Sequence, residues 1–455
     1  MGGSKFRDAN RDQQFLLPPN LKEWLPEDHL VYFLLDVLSQ VDTSSFFERY
    51  SEELRGEKPY SPRVMIPLLV YAYIDGVRSS RKIEKLCERD IAYRVIACNQ
   101  QPDHSTICRF RKENKEAFTE LFHEVLTICT EAGLGEIGTV SLDGVKVKAD
   151  AALQANRTYQ NLKEEAEKII EEAEQLDEKE DEQYGEENRG DELPDNLTDP
   201  DDRLERLKEC KERIENEAEQ QAEKKREQIR ERKKEEEETG QKKRGRKPDP
   251  PDPTPDEDTR ANPTDPESRI MKDRRGYLQA YNMQAVVSED QLIIAAEATN
   301  DENDRNQLKP MVEQTEVSMR KADVDGEVEV LASDNGYWDE DDIKEVEEER
   351  DFDCLVATKK GSKMREKFEE KGYPRGRIPD DISFEELMTR RLLSKDGRAE
   401  YKKRGQTVEP VFGQIKERQR CDRLRLRGKQ KADLEWKMMA MSHNLLKLWR
   451  ETRKN

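Results

Sequence analysis

From about residue 15 to 135, apolar residues recur at three- and four-residue spacing, as in HLVYFLLDVLSQV, VMIPLLVYAYI, SSRKIEKLCERDIAYRVIAC and HSTICRFRKENKEAFTELFHEVLTICTEAG. That period predicts a run of helices. Turn chemistry separates them: Gly76 closes one helix, Ser79 and Ser80 can cap the next, and Asn99 to Asp103 break the chain before a helix that Asp103 can cap. The three short helices over 79–113 suggest a helix-turn-helix.

From Gly138 the period drops to two. GTVSLDGVKVKA, YNMQAVVSE, QLIIAAEAT, EVEVLASD and DCLVATKK read as strands, with a helix at about 305–321 between the third and fourth. The predicted order is β-β-β-α-β-α-β-α. Ser288-Glu289-Asp290 is short enough to favour an antiparallel hairpin, whereas the helix ahead of the strand ending at Asp334 favours a parallel crossover. The fold class expected is therefore α+β/α/β, a mixed sheet with flanking helices behind an N-terminal helical domain.

Residues 151–275 interrupt this pattern. They are rich in Glu, Lys, Gln and Arg, nearly free of aromatics, and carry only sparse apolar positions such as Leu204, Leu207 and Ile214. Solvated helices or a loose coiled-coil hairpin are expected, followed by a Pro- and charge-rich stretch, 242–260, that should be disordered.

At 455 residues the chain is long enough for two or three domains. With 40% charged and 33% hydrophobic residues, part of it should lack a packed core. No apolar run approaches a membrane span and MGGSKFRDANRDQQ has no apolar signal core, so a cytoplasmic protein is expected. The seven cysteines show no CxxC spacing, and with four scattered histidines they argue against zinc and against a disulfide framework.

The net charge of -21 hides an asymmetry. Residues 151–270 carry 39 Asp and Glu against 24 Lys and Arg, while 401–455 carry 16 Lys and Arg against 6 Asp and Glu. A phosphate-binding surface is expected in that last stretch.

Three acids stand in informative settings: Asp143 in TVSLDGVKVKAD, Asp334 in VEVLASDNGYW and Glu409 in YKKRGQTVEPVFGQIKER. The first two end β-branched runs, and the third opens a helical pattern. Pro410 should lie in that helix's first turn, with Thr407 as N-cap. Val408, Val411, Phe412 and Ile415 then form its apolar face, and Glu409, Lys416 and Arg420 a neighbouring one. Three carboxylates meeting at a sheet edge can hold two hard cations, which suits phosphoryl displacement. Taken singly, Asp143 and Asp334 are ordinary turn residues and Glu409 an ordinary first-turn acid. Asp150 and Asp339 are weaker rivals.

In combination these motifs resemble bacterial insertion-sequence transposases of the DDE kind. LDG at 142–144 and SDNGY at 333–337 look like the settings of the family's two aspartates. Tyr401, Arg404, Glu409 and Lys416 match its tyrosine-arginine-glutamate-lysine signature, with one residue more than usual between Arg404 and Glu409. GVRSSRKIEKLCERDIAYRVIACNQQPDHSTICRFRKE is similar to its N-terminal domain.

The resemblance implies a ribonuclease H-like catalytic domain that cleaves the element's ends and transfers them into target DNA. Asp143, Asp334 and Glu409 would hold two Mg2+ ions, with Mn2+ tolerated. It further implies DNA contacts by Lys416, Arg404 and Tyr401 and a homodimer on paired ends. From the residues themselves, Arg420 belongs to a basic run suited to the DNA backbone, and Ser105, Thr106 and Arg109, on or near the exposed side of the last helix of the helix-turn-helix, are placed to read terminal inverted repeats. The expected division is a disordered tail at 1–14, a helical DNA-binding domain at 15–135, a catalytic domain at 136–150 and 276–455, and an acidic insertion at 151–275. A structure-specific nuclease of the same fold and a catalytically retired DNA-binding descendant are the alternatives.

Overall fold

The computed structural model describes residues 20–48, 58–135, 137–165, 200–239, 250–273, 276–324, 326–359, 378 and 381–454. The expected tail at 1–14, most of the first charged helix of the insertion and the basic stretch 242–247 lie outside these residues.

Among the described residues the N-terminal pattern folds as six α-helices: α1 (Leu30–Gln40), α2 (Pro62–Ile74), α3 (Ser80–Arg89), α4 (Ile91–Ile96), α5 (His104–Glu113) and α6 (Lys115–Glu131). Their boundaries follow the turn chemistry. Gly76 takes a left-handed backbone, φ +70, after α2, and Asp103 caps α5 by accepting from the amides of Ser105 and Thr106.

A six-stranded mixed sheet follows, built from β1 (Thr139–Lys148), β2 (Arg269–Asp273), β3 (Gly276–Val287), β4 (Ile293–Thr299), β5 (Val330–Ser333) and β6 (Asp353–Val356). β1 pairs antiparallel with β3 on one side and parallel with β5 on the other, and β6 lies parallel outside β5. β2 and β4 share the far edge of β3, both antiparallel to it. The hairpin at 288–290 and the parallel crossover into β5 are as the sequence predicts. β2 is an addition: RIMKD buries only Met271, so alternation alone does not reveal it.

The connecting helices are α7 (Pro200–Thr239), α8 (Leu308–Lys321), α9 (Glu340–Glu349), α10 (Phe384–Leu393), α11 (Lys395–Arg418) and α12 (Lys429–Thr452). α12 is buried on nearly every face, as a helix held between two layers must be: it packs on α2 and α6 on one side and on β3 and β4 on the other. It also closes the open edge of β4. Asn444 accepts from the Ile293 amide at 2.9 Å and donates to the Ile293 carbonyl at 2.8 Å, and Asp433 accepts from the Ala298 amide at 2.9 Å. The buried apolar residues of the helices and of the sheet accordingly form one cluster, from Val31 to Leu448.

α7, from the charged insertion, docks by a narrow stripe. Leu207, Cys210 and Ile214 bury against Leu162 and Ala261, and Arg213 donates to the carbonyls of Arg260 and Pro266 at 3.0 and 2.9 Å. Residues 250–259 were expected to be disordered and are instead placed as irregular chain. The Tyr159 amide donates to the Thr259 carbonyl, and Arg157–Thr158 pair with Arg260–Ala261, so backbone hydrogen bonds add to the small apolar cluster at Ala261.

Candidate active site

β1 and α11 build the site by matching two periods. Along β1, Thr139, Ser141 and Asp143 alternate onto one face; along α11, Glu400, Lys403, Arg404 and Thr407 fall on one side. They interlock: Glu400 accepts from the Thr139 hydroxyl, Thr407 Oγ1 donates to Ser141 Oγ at 2.8 Å, and Arg404 Nη2 donates to Asp143 Oδ2 at 2.8 Å. The last contact ties the middle of α11 to the strand at Asp143.

Two sequence expectations need correction here. Asp143 lies inside β1, not at its end: pairing with β5 stops at Leu142↔Ser333, but β3 goes on pairing as far as Lys148. Glu409 lies deep in α11, and Pro410 is an interior proline rather than a first-turn one. Proline removes the donor for the carbonyl four residues back, that of Gln406. Gln291, in the β3–β4 connection, supplies the missing donor, its Nε2 reaching Gln406 O at 2.9 Å. Thr407, expected as an N-cap, is buried and turns its hydroxyl to Ser141.

Asp334 follows β5 at the sheet's carboxyl edge, opening a tight turn, and accepts from the Gly336 amide at 2.7 Å. Asp143 is held by the Gly144 amide at 2.8 Å. Glu409 projects outward, its side chain 63% exposed against 46% for Asp334 and 19% for Asp143.

One guanidinium joins all three acids. Besides its 2.8 Å contact with Asp143, Arg404 lies 3.9 Å from Asp334 and 3.8 Å from Glu409, with its own side chain 13% exposed. Acids separated by 191 and 75 positions therefore converge. Burial pushes the Asp143 carboxyl up to about 6, with Arg404 pulling it down and Asp334 adding to the rise.

Among the described residues no three His, Cys, Asp or Glu side chains are grouped closely enough to hold a metal ion as they stand. The donor set nonetheless suits hard divalent cations: carboxylate oxygens only, already collected around a positive charge.

The remaining predicted residues are dispersed around this centre. Tyr401 is half-buried on α11 beside Arg404, and Lys416 is exposed seven residues beyond Glu409. Arg420 is exposed but lies past the helix end, in a left-handed turn with φ +51, so it is not on the Glu409 face. From there the chain runs through turns and bends, with Arg423, Arg425 and Arg427 exposed and Leu424 and Leu426 buried. Ser105 and Arg109 are exposed on α5 and Thr106 is half-buried, but the Ser105 and Thr106 hydroxyls both donate to Asp103. The rival acids are occupied elsewhere: Asp150 pairs with Arg423 and Arg427, and Asp339 caps α9 and pairs with Arg305.

Sequence reasoning passed over Asp304, Asn282 and Gln284, which lie beneath the two aspartates. Asn282 and Gln284 alternate with Tyr281 and Met283 in AYNMQAVV, and two amides on one face of a segment that is otherwise apolar and buried were the available signal.

Residues 19–113 match the family model described as Transposase domain (DUF772), and residues 375–449 match the one described as Transposase DDE domain. The first match spans α1 to α5; the second takes in α10, α11 with Glu409, and most of α12. Asp143 and Asp334 fall between the two. No curated protein and no solved structure matches the chain. A DDE domain implies a ribonuclease H-like fold, and the mixed sheet agrees with it. Two transposase domains, one in the N-terminal helices and one in the helices that close over the sheet, support the chain's place among the insertion-sequence DDE transposases.

Proposed function

We propose that this chain cuts the ends of its own insertion sequence and joins them to target DNA, with Asp143, Asp334 and Glu409 holding two divalent cations, Mg2+ or in its place Mn2+. The observation that carries this reading is the convergence of the three carboxylates on one guanidinium. When bound, such cations activate an attacking oxygen and stabilise a leaving one in a phosphoryl displacement.

The chain's own residues prepare that chemistry. The amides of Gly144 and Gly336 fix one oxygen each of Asp143 and Asp334, leaving the second oxygen of each turned toward Arg404. Once the carboxylates are otherwise engaged, Arg404 is a largely buried guanidinium with free donors beside the reacting phosphate, suited to a forked contact with it. Lys416, Arg420 and the exposed arginines of 423–427 supply phosphate contacts along the strand, with Tyr401 at the edge of the site. In α3–α5, read as a helix-turn-helix, Arg109 and Ser105 face outward toward a terminal repeat, with Thr106 beside them.

In this reading 15–135 is the DNA-binding domain, 136–150 with 276–455 the catalytic one, and 151–275 an insertion whose last strand joins the sheet. The protein works in the cytoplasm, on the nucleoid, as a homodimer that pairs two ends. None of the described helices is long and apolar enough to cross a membrane.

The test is Mg2+-dependent cleavage and joining of duplexes that carry the flanking repeats. The native protein should give both nicked and joined products, and Asp143→Asn, Asp334→Asn and Glu409→Gln neither. Cleavage without joining would make the chain a nuclease, DNA binding without cleavage a retired descendant, and full activity in Asp334→Asn would remove the second acid from the site.

A further inference from the structure

Beneath the two aspartates lies a fourth carboxylate. Asp304, in the connection between β4 and α8, accepts at Oδ1 from Asn282 Nδ2 at 2.7 Å and from Gln284 Nε2 at 2.8 Å. Register puts those amides on the face of the sheet opposite Asp143: Gln284 sits across from Gly144 and Asn282 across from Lys146, whereas Asp143 is paired with Ala285. Asp304 thus supports the strand from behind while Asp143 faces Arg404.

Two glycines bring it close. A Cβ at Gly144 would stand 2.4 Å from Gln284 Nε2 and 2.9 Å from Asp304 Oδ1; one at Gly336 would stand 3.1 Å from Asp304 Oδ2 and 2.9 Å from Asp334 Oδ1. Neither glycine has a positive φ, so what each supplies is room for close approach and not an unusual backbone. One oxygen of Asp304 faces the residue after Asp143, and the other faces the residue two beyond Asp334. The network closes through Tyr337, fully buried in the turn after Asp334, whose hydroxyl donates to Gln284 Oε1.

We propose that Asp304 is a positioning residue that locks the backbone of Gly144 to the turn at Gly336, and so sets the spacing at which Asp143 and Asp334 present their carboxylates to a cation. The proposal rests on the reading of these acids as cation ligands. The ligand-bearing strand and the ligand-bearing turn belong to a backbone pairing that ends at Leu142↔Ser333, just short of both aspartates. Asp304 with its two amides is the brace beyond that point. Its support depends on hydrogen bonds and shape, so an asparagine that keeps the Oδ1 acceptor should serve in part, whereas alanine should not.

Mn2+ binding to the DNA-free protein, read by electron paramagnetic resonance, tests this alongside cleavage kinetics. Asp304→Ala should weaken Mn2+ binding about 10-fold or more and lower kcat by a similar factor with KM for DNA little changed, the size usual for residues that hold metal ligands in place. Asp304→Asn should recover most of that loss. Equal losses in both variants would make Asp304 a ligand and overturn the positioning role, as would an Asp304→Ala protein that binds Mn2+ like the parent. If Asp304→Ala does not fold, Asn282→Ala, which removes one of the two amides, should show the same loss in smaller measure, and no loss there also overturns the proposal. Asp334→Asn is the control for the underlying reading: if it keeps Mn2+ binding, the ligand assignment fails and this proposal falls with it, whereas its loss beside an unaffected Asp304→Ala sinks the positioning role alone.

Discussion

Arg404 Nη2 sits 2.8 Å from Asp143 Oδ2, and the same guanidinium reaches Asp334 and Glu409 within 4 Å. A cation built into the chain thus balances charges that would repel one another at this spacing. Replacing it with a neutral side chain leaves a half-buried carboxylate without its partner, a change that costs about 2–4 kcal/mol in such surroundings. Arg404→Gln should therefore melt below the parent without divalent metal, and Mg2+ should raise its melting temperature more than the parent's. Equal Mg2+ shifts in the two proteins would show that the guanidinium does not compete for the acids.

The Asp143 carboxyl, pushed up to about 6 from an ordinary 3.8, leaves a signature in stability. Between those values the folded chain holds a proton that the unfolded chain has released, so this residue's contribution to stability falls as pH rises from about 4 to about 6 and stays low above that. The two-unit shift corresponds to roughly 3 kcal/mol. Urea denaturation of the parent and of Asp143→Asn across pH 3.5–7.5, without metal, should give a difference that tilts toward the variant over that window. A flat difference would place the carboxyl in an ordinary aqueous setting.

Most of the sheet was legible in the chain because its strands are short apolar and β-branched runs whose connections have informative lengths: three residues at 288–290 favour a hairpin, and a helix ahead of Val330 favours a crossover. The three acids were legible through the motifs around them. Glu409's place in its helix was not, because whether Pro410 starts α11 or sits inside it depends on Gln291, which is remote in sequence and meets α11 only after the hairpin has formed. Asp304 was hidden for a related reason: its partners are amides of β3 and glycines beside the other acids, and none of those contacts leaves a local pattern. Met271 alone could not announce β2 among four polar neighbours.

Pro410 and Gln291 form a compensating pair that a double-mutant cycle can separate. Gln291→Ala removes the donor to the Gln406 carbonyl and should cost about 1 kcal/mol. With Pro410→Ala in place, the helix regains its own amide donor and the same substitution should cost much less. The predicted coupling, close to 1 kcal/mol by urea denaturation, would vanish if water served the Gln406 carbonyl as well as Gln291 does.

Asp150 holds two of the arginines on the basic strip after α11, Arg423 at 2.9 Å and Arg427 at 3.1 Å, while Arg425 between them is exposed. These are half-exposed pairs, so they add little to stability and Asp150→Ala should leave the melting temperature nearly unchanged. Their effect should fall on DNA. An acid beside a phosphate-binding strip repels the backbone and keeps neighbouring arginines occupied, so its removal should tighten sequence-independent binding and steepen the dependence of log K on log salt by about one ion or more. Arg425→Ala should change the slope by about one in the opposite sense. Fluorescence anisotropy with a random duplex at 50–200 mM salt reads both, and slopes unmoved in both variants would show that DNA does not pass along residues 423–427.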